Sequence, residues 1–115
     1  MHTSYKQYYV YIVTNATKST LYIGVTNNLS ARIIEHWDNK GDPVTFAGRY
    51  FCHNLIYYET YTSVLNAIQR EKEIKKWSRG KKEDLIKSTN PDWLFLNTQI
   101  CGKWPPNDLK RRLKN

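Results

Sequence analysis

The side chains that break their local pattern in this 115-residue sequence are Glu71, the pair Arg32 and His36, and the tyrosines Tyr11 and Tyr22. Wound at about 100° per residue, Val64, Ala67, Ile68 and Ile74 form one arc of a helix, and Glu71 falls inside that arc. A carboxylate among core positions must be paired, protonated or bound to a metal, because burying it alone is too costly. Glu71 is therefore either a structural ion pair, with Lys75 one turn on, or a functional group. Arg32 and His36 stand one turn apart at the border of a second apolar stripe. Guanidinium forks onto phosphate oxygens and imidazole moves protons near neutral pH, so the pair suits a phosphodiester; by residue type alone it equally suits a solvated helix edge. A phenol serves as general base only where neighbours pull it well below its usual value of about 10. Otherwise the nine tyrosines are packing residues or platforms for base stacking.

These groups need elements to position them. Residues 8–13 alternate as a strand, with Tyr8, Val10 and Ile12 on one face and Tyr9, Tyr11 and Val13 on the other. A polar connection over Thr14 to Ser19 leads to a second strand with Leu21, Ile23 and Val25 on one face. Pairing Val10 with Ile23 and Ile12 with Leu21 superimposes the apolar rows. That register sets Tyr11 opposite Tyr22 and Tyr9 opposite Gly24, a glycine that leaves room for something to approach. Asn28 and its neighbours Thr26 and Asn27 offer caps for a helix from Leu29 to Trp37, and Gly41-Asp42-Pro43 opens a loop to about His53. A third strand spans Leu55 to Glu59, a long helix runs from about Val64 to Trp77 closed by Gly80, and a shorter one covers Lys82 to Lys87. The order β-β-α-β-α-α describes a small α+β fold.

Composition narrows the function. Eighteen Lys and Arg against ten Asp and Glu leave a net charge of +8, which points to a polyanionic partner, foremost nucleic acid. The longest apolar run, residues 8–13, is far short of a bilayer span and too tyrosine-rich for a signal peptide, so neither a membrane protein nor a secreted one is expected. Cys52 and Cys101 form no C-x-x-C pair, which excludes a disulfide scaffold and fits a reducing cytoplasm. Cys52, His53, His36 and Cys101 match no structural zinc spacing. Lys75, Lys76, Arg79, Lys81 and Lys82 belong to a dense basic segment that is either a solvated helix face or, with the basic end at Lys110 to Lys114, a grip on a phosphate backbone.

The ordered set of motifs resembles the GIY-YIG nuclease superfamily, in particular its small stand-alone bacterial members, over about Tyr8 to Trp93. Tyr9-Val10-Tyr11 stands where the first motif is expected, with tyrosine replacing the leading glycine, and Tyr22-Ile23-Gly24 is the second motif intact. Asn28-Leu29-Ser30-Ala31-Arg32 with His36 is similar to the family's arginine helix, and Leu55 to Glu59 to its third strand. Ala67 through Glu71 and on to Trp77 is similar to the helix of its metal-binding glutamate, and Asn90-Pro91-Asp92-Trp93 to the close of the stand-alone group.

The resemblance implies a three-stranded antiparallel sheet flanked by helices in a domain over residues 1–93, followed by a basic extension over 94–115, with a phosphodiester-cleaving site on one sheet face. Glu71 would hold one Mg²⁺ or Mn²⁺, and Arg32 would join the cation in stabilising charge on the pentacoordinate phosphorus. Tyr11 or Tyr22 would activate water, with His36 assisting or itself the base. Val25 stands where excision-repair members carry a lysine suited to lowering the tyrosine pKa, a task left to Arg32, His36 or Arg49. Gly24, Arg49, Lys75, Lys76, Arg79, Lys81 and Lys82 are the expected nucleic-acid contacts. The expected function is a metal-dependent DNA endonuclease, in repair or recombination. The alternatives are a catalytically inactive nucleic-acid-binding module on the same fold and a plain interaction domain with a basic surface.

Overall fold

The computed structural model describes residues 6–106; the basic end at 110–114 lies outside them. The elements run β1 (Tyr8–Thr14), β2 (Leu21–Thr26), α1 (Leu29–Asp38), α2 (Phe46–Arg49), β3 (Asn54–Tyr61), α3 (Val64–Lys75), α4 (Arg79–Thr89) and α5 (Asn97–Cys101). The three strands form one antiparallel sheet in the order β2-β1-β3, with the antiparallel β1–β2 pairing that the strand pattern predicts and the three strands that the family resemblance implies.

The β1–β2 register differs from the expected one by two residues: Val10 pairs with Val25, Ile12 with Ile23 and Thr14 with Leu21. The connection explains the shift. Asn15 Oδ1 accepts from the backbone amides of Ser19 (2.9 Å) and Thr20 (3.1 Å), which takes residues 15–20 into the turn and leaves Thr14 facing Leu21. A two-residue shift preserves the face of every side chain, so the apolar rows still coincide. It does change the partners. Tyr11 lies opposite Gly24, and Tyr22 lies opposite Val13. The space above Gly24, expected to admit a ligand, belongs to Tyr11 itself: a Cβ at Gly24 would stand 2.4 Å from the Tyr11 hydroxyl.

Alternation splits the core into two layers. On one face Val10, Ile12, Ile23 and Ile56 pack against Ala67 and Ile74 of α3 and Ile86 of α4. On the other, Tyr11, Val13 and Leu55 pack against Leu29 and Ile33 of α1, Ala47 of α2 and Cys52. A bulge between Ile12 and Val13 inserts Ile56 into β3, so that Ile56 and Tyr57 both join the first layer.

Three helix expectations change. The long helix α3 stops at Lys75 rather than at Trp77, and the Ser78 hydroxyl caps α4 by accepting from the Lys81 amide at 3.2 Å. Gly80 sits in the first turn of α4 and closes nothing. Val64, expected in the core arc, is 42 % exposed. α2 forms within the stretch expected to be loop, started by the Thr45 hydroxyl accepting from the Gly48 amide at 3.0 Å. Residues 94–101, expected as part of an extension, pack back on the sheet. Buried Asn97 accepts from the Leu55 amide (2.8 Å) and donates to the His53 carbonyl (2.8 Å), while Asn90 donates to the carbonyls of Ile56 and Leu94, both 2.9 Å. No helix among the described residues is long and apolar enough to cross a membrane.

Candidate active site

The face of the sheet that carries Tyr9, Tyr11 and Val13 is covered by α1, whose start is set by Asn28: its Oδ1 accepts from the Ala31 amide at 3.2 Å. From that start, Leu29, Ile33 and His36 form the buried stripe of α1. His36 is 5 % exposed and so lies inside the apolar face rather than at its border, while Trp37 turns aside to pack edge-on to His53 and Trp104.

Tyr11, Arg32 and His36 are in direct contact. The Tyr11 hydroxyl lies 2.8 Å from His36 Nε2, and Arg32 Nε donates to the Tyr11 oxygen at 3.2 Å. A phenol has one proton. Arg32 can only donate, so the Tyr11 oxygen accepts from Arg32. The contact with Nε2 runs from the phenol to the imidazole when His36 is neutral with its hydrogen on Nδ1, the tautomer we assign. The electrostatics agree: burial, then the charge of Arg32 and the neighbouring His53, push the imidazole down to about 4. Burial raises the Tyr11 phenol to about 12, against the opposing pull of Arg32. Tyr11 is thus not a phenol poised by a depressed pKa; it is a protonated one hydrogen-bonded to an imidazole acceptor.

Tyr22 completes the cluster without a hydrogen bond to it. Its ring stands edge-on to His36 at 5.5 Å, and its centroid lies 6.4 Å from that of Tyr11. Tyr22, Arg32 and His36 face a cavity of about 130 Å³, closed on its far side by Thr45 and Phe46. Outside it, Arg32 Nη1 donates to Glu35 Oε2 at 2.8 Å, a pair with Glu35 half exposed.

Glu71 does not share this face. Its helix packs in the opposite layer, against β1 and the edge strand β2. There Lys75 Nζ lies 3.4 Å from Glu71 Oε2 and 6.0 Å from the centre of the Tyr22 ring. The Glu71 side chain is only 15 % exposed. One covered carboxylate fits a cation such as Mg²⁺, which keeps most of its waters and takes one or two carboxylates plus substrate phosphates. No group of three or more His, Cys, Asp or Glu able to hold a metal occurs among the described residues, so a dedicated all-protein cage does not fit.

The cations expected to meet nucleic acid fall in three places. Lys75 and Lys76 are exposed at the end of α3. On α4, Lys81 lies over the Trp77 ring and Lys82 half-buried beside it in sequence, while the Arg79 guanidinium is committed to the carbonyls of Lys18 and Ser19, both at 2.8 Å. Arg49 is exposed and folds back on the Pro43 carbonyl. Val25 packs in the opposite layer, and the cation that meets the Tyr11 oxygen is Arg32.

Sequence reasoning overlooked two groups. Phe46 stacks on Tyr22 with ring centroids 6.2 Å apart, and nothing in a loop-like segment pointed to it. Glu59 is a second covered carboxylate, held by Arg70 and by the hydroxyls of Tyr57 and Tyr61. Its signal was present in the alternation Tyr57, Glu59, Tyr61, which places an acid between two aromatics on a strand face.

Residues 7–84 match the model of the GIY-YIG catalytic domain. The chain belongs to the GIY-YIG family. Among its relatives, a UPF0213 protein of Natronomonas pharaonis is 42 % identical over 79 residues, 69 % of this chain and 89 % of that one. A UPF0213 protein of Staphylococcus epidermidis is 38 % identical over 80 residues, 70 % of this chain and 94 % of that one. The solution NMR structure of a UPF0213 protein from Bacillus halodurans has 29 % sequence identity and a TM-score of 0.49, covering 80 % of this chain and 95 % of that chain. GIY-YIG proteins are generally nucleases, typically using divalent metal, and membership implies a nucleic-acid substrate.

Proposed function

We propose that this GIY-YIG protein is an endonuclease that hydrolyses DNA phosphodiester bonds with one Mg²⁺ or Mn²⁺, and that Tyr11, His36, Arg32, Tyr22 and Glu71 form its catalytic site. The observation that carries the reading is the chain of contacts from Arg32 through the Tyr11 hydroxyl to His36 Nε2. It is a path for one proton. Water attacking phosphorus gives its proton to the Tyr11 oxygen as Tyr11 passes its own to Nε2, so no free phenolate is needed and the raised phenol pKa is no obstacle. An imidazole near 4 is a weak base, and after burial the charge of Arg32 is the next cause of that depression. A phosphate seated on the guanidinium, in place of exposed Glu35, offsets that charge and returns His36 toward its ordinary range. The same guanidinium then faces the charge that develops on the phosphoryl oxygens. A divalent ion held by Glu71 would polarise the phosphate and stabilise the leaving oxygen. The Glu71–Lys75 contact favours a second reading, a nucleic-acid-binding module whose carboxylate is a structural ion pair.

Cleavage of supercoiled plasmid and of single-stranded and branched DNA, with Mg²⁺, Mn²⁺ or chelator, separates the two. Metal-dependent cleavage is expected, lost in Glu71→Ala. Tyr11→Phe and His36→Gln should each slow it by about 10²–10⁴-fold, the typical contribution of a positioned acid or base. Their combination should cost little more than either alone, since both interrupt one relay. Binding without cleavage on any of these substrates would leave the non-catalytic module.

A further inference from the structure

Apolar surface is concentrated beside the cavity, in the stretch from Val44 (88 % exposed) through Phe46 (50 %) and Tyr50 (43 %) to Phe51 (51 %). The exposure is built in rather than left by a loose loop. The Gly41 amide donates to the Gly48 carbonyl (2.9 Å), the Cys52 amide to the Ala47 carbonyl (2.8 Å), and Arg49 Nη2 to the Pro43 carbonyl (3.0 Å). A Cβ at Gly48 would stand 2.7 Å from both the Asn39 and Asp42 carbonyl oxygens, so the backbone closes tightly under the rings. Above that base, Tyr50 and Phe46 lie 4.8 Å apart, Phe46 is stacked on Tyr22 at 27°, and Tyr22 abuts His36. A row of rings therefore leads from solvent to the relay.

The cavity at the end of the row has room for a phosphate group beside Arg32. A nucleotide whose phosphate sits there has exposed rings next to it, Phe46 and Tyr50 in the row and Phe51 following in sequence. Arg32 at the cavity and exposed Arg49 beside the rings give this patch cations to match a phosphate backbone. The faces of a base are open to stacking only when it is unpaired and splayed from its neighbours. We infer that Phe46 and Tyr50 are a stacking platform for the base flanking the cleaved phosphate, and that the substrate class is single-stranded DNA rather than continuous duplex. The inference rests on the nuclease reading for the position of the cleaved bond, while the stacking itself is measurable without cleavage.

The test is a titration, in chelator, of a short oligonucleotide carrying 2-aminopurine, single-stranded or annealed to its complement. The single strand should bind more tightly than the duplex and its fluorescence should be quenched. Phe46→Ala and Tyr50→Ala should each weaken single-strand binding by about 5- to 150-fold, the range for one aromatic–base stack, and reduce the quenching. Phe46→Trp should retain both. Tyr50→Ala stays decisive if Phe46→Ala proves unfolded by circular dichroism, because the Tyr50 ring meets Phe46 and removing it leaves the Phe46–Tyr22 stack. Equal affinity for duplex, or Tyr50→Ala binding and quenching like the parent, would overturn the platform even if metal-dependent cleavage were intact. Quenching lost in the variants, with no cleavage under any condition, would sink the nuclease reading and keep the platform. A parent dimer that the two variants convert to monomer without changing single-strand binding would reassign the patch to self-association.

Discussion

His36 is a buried imidazole held neutral beside an arginine, and that has a consequence for stability. Its pKa drops from 6.5 to about 4 on folding. Between those values the unfolded chain binds the proton and the folded chain does not, so stability falls as pH is lowered through that window and is fully present above it. The complete loss amounts to about 3 kcal/mol, and His53, also lowered by burial, adds in the same direction. Urea midpoints measured between pH 7.5 and 4 should therefore decline, and His36→Gln should flatten the decline. Glu59 acts in a lower window. Despite the cost of burial, its bonds from Arg70, Tyr57 and Tyr61 hold it below the usual carboxylate range, so its contribution disappears only in stronger acid. A midpoint independent of pH from 7 to 5 would contradict a neutral buried His36.

α3 does two jobs that its sequence merges into one charged run. Ala67 and Ile74 seat it on the sheet, and Arg70 locks it there: Nε meets Glu59 Oε1 and Nη2 meets Oε2, both at 3.0 Å, with the Trp77 ring beneath the guanidinium. The next residue is Glu71, whose Oε2 meets Lys75 Nζ. The ion pair of α3 that is tied to the sheet is thus Glu59–Arg70, and it fixes the turn from which Glu71 projects. Arg70→Met should leave Glu59 covered and unpaired, a loss of about 3 kcal/mol or more. Replacing both residues at once, Glu59→Leu with Arg70→Met, should recover much of it, because the uncompensated charge is then gone. Chemical denaturation of the two variants checks this; equal destabilisation by the single and the double change would count against the pair as the lock.

At the scale of the whole molecule, the net charge of +8 predicts binding that weakens steeply with salt, with log K falling by about 0.7 per log unit of salt for each phosphate neutralised on a single strand. The cations are not equivalent. Lys76 is exposed at the α3 terminus, whereas the Arg79 guanidinium ties α4 to the β1–β2 connection through the Lys18 and Ser19 carbonyls. Anisotropy titrations over a salt series should find a shallower slope for Lys76→Gln, and an unchanged slope but lower thermal stability for Arg79→Gln. The reverse result would place the phosphate track along α4 instead.

Short-range periodicity and residue type encode the local elements of this chain. The strands, the parity of their faces, the cap at Asn28 and the motif residues were legible because alternation and helical spacing act over a few neighbours. The α+β class and the GIY-YIG family followed from the order of those pieces. Other features depend on contacts between distant segments. The hairpin register turned on which amides Asn15 accepts, and parity alone is blind to a shift of two. Whether His36 was edge or core turned on the sheet beneath α1, and the Tyr11–His36 bond joins residues 25 apart. α2 and α5 have too few residues for a periodic signal and persist because Thr45 and Asn97 bind backbone amides there and on β3. Glu71 looked like a core anomaly in its helix. The place of its helix in the layer opposite the tyrosine face comes from how α3 packs on the sheet, a property that no single element carries.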